Sequence, residues 1–344
     1  MVCVCSVIGF FKDGIRLYDF IKREGAGDGL PFFRKRICME KMRQKKKTNL
    51  RKELPFHLML LPGVIFTIIF CYVPMVGMKI AFQKFIPAKG FFGDQKWIGF
   101  DNFTYLINMP GAMAALRNTI VIALWKIVLN LVIPVLVALM LNEVKSNKFR
   151  RSVQTAIYLP YFLSWVIFAG VLIDILSPSS GMIGRILNMF GIQAPFFLGS
   201  NKYFQQTIIW TDVWKNFGYG TIVYLAAITG IDMSLYEAAT MDGAGRLQKM
   251  WHVTLPGIRM IVILMTVLSL GNVLNAGFDQ IQNLISPQVY ATGDILDTFI
   301  YRIAMLDAQF GPATAMSMFK SVVSCFFISV SYYIAYKFFD YRIF

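Results

Sequence analysis

Residues 237–256 read Glu-Ala-Ala-Thr-Met-Asp-Gly-Ala-Gly-Arg-Leu-Gln-Lys-Met-Trp-His-Val-Thr-Leu-Pro. They form a polar interruption between two apolar stretches, and they decide how the chain is read. A chain that only has to turn back into a membrane needs no loop this long or this patterned. Glu237-Ala238-Ala239 marks the start of a short helix, Gly243 a break, and 247–253 a second helix stopped by Pro256. Two short amphipathic helices held at a membrane face make a docking surface for another protein.

Around this loop the composition is that of a membrane protein. Of 344 residues, 56% are hydrophobic and 15% charged, with a mean hydropathy of +0.56; ordinary soluble domains carry roughly a quarter charged residues. The net charge of +15 is uneven, because the first 56 residues hold 14 Lys and Arg against 6 Asp and Glu. A basic tail beside the first apolar run fits the positive-inside rule better than nucleic-acid binding, and no nucleic-acid partner is expected.

A helix needs about 20 apolar residues to cross the hydrocarbon layer. Six stretches qualify, near 57–79, 119–141, 153–176, 206–229, 258–277 and 316–338. With the tail inside, 142–152 and 230–257 are cytoplasmic, whereas 80–118, 177–205 and 278–315 face outward. With boundary residues counted to the adjoining loops, 23 Lys and Arg fall on the tail's side, 8 on the other and 3 within spans. The expected fold is an all-α polytopic membrane protein of six transmembrane helices with both termini in the cytoplasm. Residues 1–53 form a basic cytoplasmic tail, and 54–344 form the membrane domain, including the loop 235–257.

The outer loops carry Trp97, Phe100, Phe103 and Tyr105 and read as short helices lying along the membrane surface. Pro62, Pro74, Pro134 and Pro160 fall in or near spans, where neighbouring helices accommodate the lost donors. Cys71 and Cys325 sit in apolar runs, and Cys3, Cys5 and Cys38 lie in the tail, so the five cysteines read as reduced thiols without a disulfide framework. Met39 and Met42 precede a segment suited to open such a chain, and 1–38 reads as an upstream over-extension of the reading frame.

The pattern Glu-Ala-Ala, three residues, Gly, nine residues and then Val253-Thr254-Leu255-Pro256 resembles the EAA loop of ABC importer permeases, with Val253 where that family usually has Ile. Trp97-Ile98-Gly99-Phe100-Asp101-Asn102-Phe103 and Leu116-Arg117-Asn118-Thr119 resemble elements of maltose-type sugar permeases. Tyr158 to Trp165, Trp214-Lys215-x-x-Gly218, and Gly277-Phe278-Asp279-Gln280 to Tyr301-Arg302 are similar to LplB-like carbohydrate permeases. The resemblance covers about residues 50–344, and it implies a type I ABC importer permease fold with cytoplasmic coupling helices, in a bacterial plasma membrane. It also implies a second homologous permease, two cytosolic ABC ATPase subunits, an extracellular solute-binding lipoprotein and a saccharide substrate, with lipid around the bundle. No cofactor is expected on this chain, since ATP and Mg²⁺ would sit on the ATPase.

Carried over by position, the coupling residues are Glu237, Ala238, Ala239 and Gly243, with Arg246, Lys249, Leu255 and Pro256. The alanines leave a low surface that enters a cleft, Gly243 permits the backbone turn, and Glu237 caps amides or pairs with a basic residue of the ATPase. Lys126, Lys215 and Lys320 lie inside spans, where charge is costly and often functional. Facing the pathway, they would favour an acidic, uronate-containing oligosaccharide. The plainer alternative has Lys126 and Lys320 reaching the outer interface and Lys215 pairing with Asp212 one turn away. Trp214, Asn216, Tyr219 and Tyr224, with Asn272 and Asn275, supply aromatic faces and amides for a sugar, although aromatics at helical spacing are more often packing residues.

Three other readings compete. A membrane enzyme lacks its parts, since there is no His-Glu-x-x-His, Gly-x-Ser-x-Gly or Cys-x-x-Cys constellation and no phosphate-binding Gly-Lys-Ser/Thr loop. A channel or stand-alone carrier needs no ATPase-docking loop and favours an inverted repeat that is not seen here. An importer permease for a non-sugar solute remains open at this point.

Overall fold

The structure is a computed structural model describing residues 50–339. The expectations for the tail, including Cys3, Cys5, Cys38, Met39 and Met42, lie outside the described residues. Those residues fall into two compact units, one of 50–79 with Gly90–Phe92, the other of Ile80–Lys89 with the chain from Gly93 onward.

In the first unit, α1 (Leu50–Thr67) runs into a π-turn at Ile68–Tyr72 and a 3-10 stretch, Val73–Phe82, that continues into the second unit. The Val73 N–H donates to the Ile68 carbonyl, one residue further back than an α-helix would place it. Val73 precedes Pro74, whose ring would collide with the carbonyl four residues behind it, and the widened turn gives that carbonyl room.

The second unit opens with a two-residue antiparallel ladder, β1 (Gln83–Lys84) on β2 (Lys96–Trp97), so one outer segment expected to be purely helical begins as a small β-turn structure. Helices α2 (Asp101–Asn108), α3 (Ala112–Asn142), α4 (Asn147–Phe162), α5 (Trp165–Leu176), α6 (Met182–Met189) and α7 (Phe204–Thr229) follow. Next come α8 (Met233–Met241), α9 (Arg246–Lys249), a π-turn at Met250–Thr254 and α10 (Leu255–Gly271). The short α11 (Phe278–Leu284), α12 (Tyr290–Gly293) and α13 (Leu296–Tyr301) lead to the long α14 (Phe310–Phe339).

Among the described residues, four helical runs are long and apolar enough to cross a membrane: Leu58–Phe82, Ala112–Asn142, Arg246–Gly271 and Phe310–Tyr333. Two bent pairs raise the number to six if each is one span, α4 with α5 (bent 106°) and α7 with α8 (69°). The first bend corrects the expectation of one uninterrupted span over 153–176. Leu163 is extended (φ −73°, ψ 140°), and the Ser164 hydroxyl accepts the Ile167 N–H at 3.3 Å, starting a new helix. A serine cap inside a hydrophobic run is outvoted in any hydropathy window, but it satisfies the donors of a fresh N-terminus locally.

α7 is the central packing partner. A Cβ on Gly218 would stand 2.2 Å from the Ile157 carbonyl of α4, and one on Gly220 would stand 2.9 Å from the Pro134 ring of α3. Apolar side chains close the remaining space, with one cluster around Phe168, Phe204, Ile208 and Ile281, another around Leu106, Leu296 and Phe299, and a third around Leu139, Tyr224 and Ile258.

Gly218→Val should therefore push α4 off α7 and lower the melting temperature of the detergent-purified protein, at a cost of about 1–3 kcal/mol for overpacking. Gly170→Val, with nothing within 4 Å of its Cβ, is the control and should melt like the parent.

Candidate functional site

The hairpin joining α7 to α10 is built from local capping. Asp232 opens α8 by accepting the Ser234 N–H at 3.0 Å, and this hydrogen bond holds its carboxyl below the usual carboxylate range. The cap is thus charged at neutral pH. Its contribution is present above the ordinary carboxylate pKa and is lost as pH falls through the lowered one. At the other end Gly243 has φ +77°. Its N–H donates to Thr240 O (3.1 Å), and Ala244 N–H donates to Ala239 O (2.9 Å). That pair of bonds is a Schellman cap, and its left-handed residue favours glycine.

The second arm is tied to the first by side chains of which the sequence singled out only Lys249. Lys249 Nζ donates to Thr240 Oγ1 at 2.7 Å, Gly245 N–H donates to Gln248 Oε1 at 2.6 Å, and the Tyr236 hydroxyl lies 2.9 Å from Thr254 Oγ1. Asp two residues ahead of Ser234 and Gln three after Gly245 were readable capping signals. Tyr236–Thr254 joins residues 18 apart and carries no local signature.

Glu237 and Ala238 lie exposed on α8, with Ala239 half-buried, while Arg246 and Pro256 are exposed on the second arm. Leu255 packs against the Leu139–Tyr224–Ile258 cluster at the hairpin's base. Pro256 does not stop a helix, which corrects the sequence expectation. The arm passes unbroken from Arg246 to Gly271, because the Leu255 N–H reaches back to Met250 O in a π-turn. This is the same relief seen before Pro74. The hairpin also exposes Met241 (88%), Leu247 (69%) and Trp251 (65%), an apolar surface beside its exposed charged groups.

The three intramembrane lysines all have acceptors within the chain, and not the expected ones. Lys126, rather than Lys215, pairs with Asp212, at 3.2 Å. Lys126 is 6% exposed and does not reach the interface. It also donates to Ala276 O at 2.7 Å and to Gln280 Oε1, while Asn130 Nδ2 donates to the other Asp212 oxygen at 2.9 Å. Gln280 Nε2 in turn donates to Ile208 O (2.8 Å) and Thr211 Oγ1 (2.9 Å), locking α11 to α7. Lys215 Nζ donates to Tyr161 O at 2.9 Å, Leu163 O at 2.7 Å and Pro160 O at 3.4 Å. The Tyr161 and Leu163 carbonyls lie past the last backbone bond of α4, in which the Leu163 N–H donates to Pro160 O at 3.3 Å, so Lys215 serves as the C-terminal cap of the broken helix. Lys320 pairs with Asp297 and donates to Asn275 Oδ1 at 2.9 Å.

Of the other pathway candidates, Trp214 (44% exposed) rests against Phe168, and Tyr219 (48%) stacks on Tyr161 with ring centroids 4.7 Å apart. Asn216 is half-buried. Tyr224 is 2% exposed within the Leu139–Ile258 cluster, a packing residue that is withdrawn as a pathway candidate. Asn272 and Asn275 are exposed but follow the last turn of α10 instead of lying inside a span over 258–277. Two groups emerge: Lys215 with Tyr161, Trp165 and Tyr219, and Lys320 with Asn275 and Asp297.

Comparison with known proteins places this arrangement in context. Residues 130–344 match the family described as binding-protein-dependent transport system inner membrane component. The chain is 36% identical over 302 residues to the polygalacturonan/rhamnogalacturonan transport system permease protein YteP of Bacillus subtilis (strain 168), covering 88% of this chain and 94% of the relative. It is 36% identical over 289 residues to protein LplB of the same organism, covering 84% and 91%. Among solved structures, one chain of a bacterial ABC transporter involved in the import of the acidic polysaccharide alginate matches with a TM-score of 0.78 and 36% identity, over 84% of this chain and 98% of that one.

Lys126→Met should strand the Asp212 carboxylate in a low-dielectric site and cost on the order of 3–5 kcal/mol. Adding Asp212→Asn to Lys126→Met should recover much of the lost melting temperature, and simple additivity of the two losses would contradict the pairing.

Proposed function

The chain belongs to the family of binding-protein-dependent transport system inner membrane components, and on that premise we propose that the α8–α9 hairpin is where a cytosolic ATPase grips it. It is a permease subunit of a carbohydrate ABC importer. The observation that supports the coupling role is a rigid, fully capped helix that presents apolar side chains to the exterior of the bundle. A capped helix transmits a push without fraying, and the exposed Met241 at its end, with Leu247 and Trp251 on the second arm, needs a partner to cover it.

In this reading the hairpin faces the cytoplasm, together with both termini. A second permease of the same family completes the pathway, and two ATPase subunits, carrying ATP and Mg²⁺, hydrolyse the nucleotide that this chain does not. A binding protein delivers the saccharide from outside. Closure of the ATPase pair draws the docked hairpins together. Since Arg246–Gly271 is one continuous helix, that displacement passes directly into the membrane, as a rigid-body switch driven by different contacts in two states.

An acidic oligosaccharide is the substrate class best supported, given the alginate importer and the relative named for polygalacturonan. Lys126, Lys215 and Lys320 are poor free charges for recognising it, because each is already engaged by acceptors within the chain. The exposed candidates for contact are Tyr219, Trp214, Asn272 and Asn275, with Asn216 beside them.

Two experiments test the proposal. Gly243→Val, which forces a β-branched residue to positive φ, and Glu237→Arg should each cut uptake at least about tenfold, while the protein stays membrane-inserted and binds its sister permease; wild-type uptake in both would sink the coupling role. Lys215→Met should depress transport of neutral and uronic oligosaccharides by the same factor, because it unpins the α4 break; a selective loss on uronic substrates would show that the ammonium reads charge.

A further inference from the structure

We propose that the end of the bundle remote from the coupling hairpin holds a specific site for an anionic phospholipid, its acyl chain in a crevice under α2 and its phosphate on Arg117. The crevice, about 120 Å³, is lined by Phe103, Leu106, Ile107, Ala112, Met113, Leu116, Leu296, Met316 and Phe319, and every one of those side chains is apolar. Leu106, Ala112, Leu296 and Met316 are buried and form its floor, whereas Ile107 (71% exposed), Met113 (64%) and Phe319 (42%) form its rim. A saccharide, which must replace its water with polar partners, finds none there. A hydrocarbon chain has no hydrogen bonds to lose by entering.

Arg117 supplies the independent observation. It lies one residue after Leu116 and one turn after Met113, on the same face of α3 as the rim. Helical side chains lean toward the N-terminus of their helix, so the guanidinium is carried back over the Met113 turn, toward the crevice mouth and the membrane boundary. It is exposed and makes no hydrogen bond or ion pair among the described residues. Arg302, at the same end of the bundle, is paired with Asp294. An unpaired guanidinium in the first turns of a spanning helix calls for a two-pronged anionic acceptor, and the two non-bridging oxygens of a phospholipid phosphate provide one where an acyl chain also needs cover.

The test uses the assembled transporter equilibrated with vesicles of equal phosphatidylglycerol and phosphatidylcholine, re-extracted, and its retained lipid measured by native mass spectrometry. The wild type should retain phosphatidylglycerol over phosphatidylcholine by about fivefold, the factor expected of one basic residue at a membrane surface. Arg117→Gln should bring that ratio to parity with the total unchanged, and Met113→Trp, which fills the mouth, should lower the total for both lipids. Parity in the wild type, or an unchanged ratio in Arg117→Gln, or an unchanged total in Met113→Trp overturns the site. So does an Arg117→Gln variant whose only change is a raised KM for acidic saccharide, which would assign the guanidinium to the pathway. The lipid readout needs no transport, so it stands or falls separately from the coupling role.

Discussion

Inside a bilayer no water is at hand to satisfy a polar group, so each charge and each unpaired carbonyl must find its partner within the protein. That constraint organises the bundle. The α4 helix ends within the bent pair, where the Tyr161 and Leu163 carbonyls would be orphaned, and Lys215 of α7 supplies the donors. In the same way Lys126 is tolerable only because Asp212, Gln280 and the Ala276 carbonyl surround it. These two lysines tie α3, α4, α7 and α11 together through bonds too costly to leave open. The fixed geometry of α7 follows from them as much as from its glycine contacts.

The α8–α9 hairpin obeys a different economy, since most of its residues are exposed. Its backbone is satisfied by its own caps, Asp232 at one end of α8 and the Gly243 cap at the other. Its second arm runs without a break into α10 because a π-turn absorbs Pro256. The result is a locally capped hairpin that exposes Met241, Leu247 and Trp251. In the intramembrane region rigidity comes from long-range polar bonds, and at the hairpin it comes from local ones.

This difference explains how legible each part was. The hairpin's glycine break follows from spacing over 20 residues, because caps act between near neighbours, but its helix begins at Met233 on the Asp232 cap and not at Glu237, where the spacing put its start. The long helices near 119–141, 206–229 and 316–338 were legible for a similar reason, a long apolar run having few alternatives. The broken span was not, since Ser164 is one polar residue in an apolar window. Pro256 was read as a stop because proline usually ends a helix, and only the coordinates show the widened turn that lets the helix pass.

By itself the sequence determined that this is a polytopic helical membrane protein with a polar hairpin between two apolar runs, since hydropathy and capping are properties of contiguous residues. Which lysine meets which acceptor was decided by tertiary structure alone. Asp212 stands three residues from Lys215 and 86 from Lys126, yet it pairs with Lys126, because the close approach of α3 to α7 brings that ammonium to it while the severed end of α4 claims the nearer one. Packing over such distances in the chain leaves no trace in the spacing of residues along it.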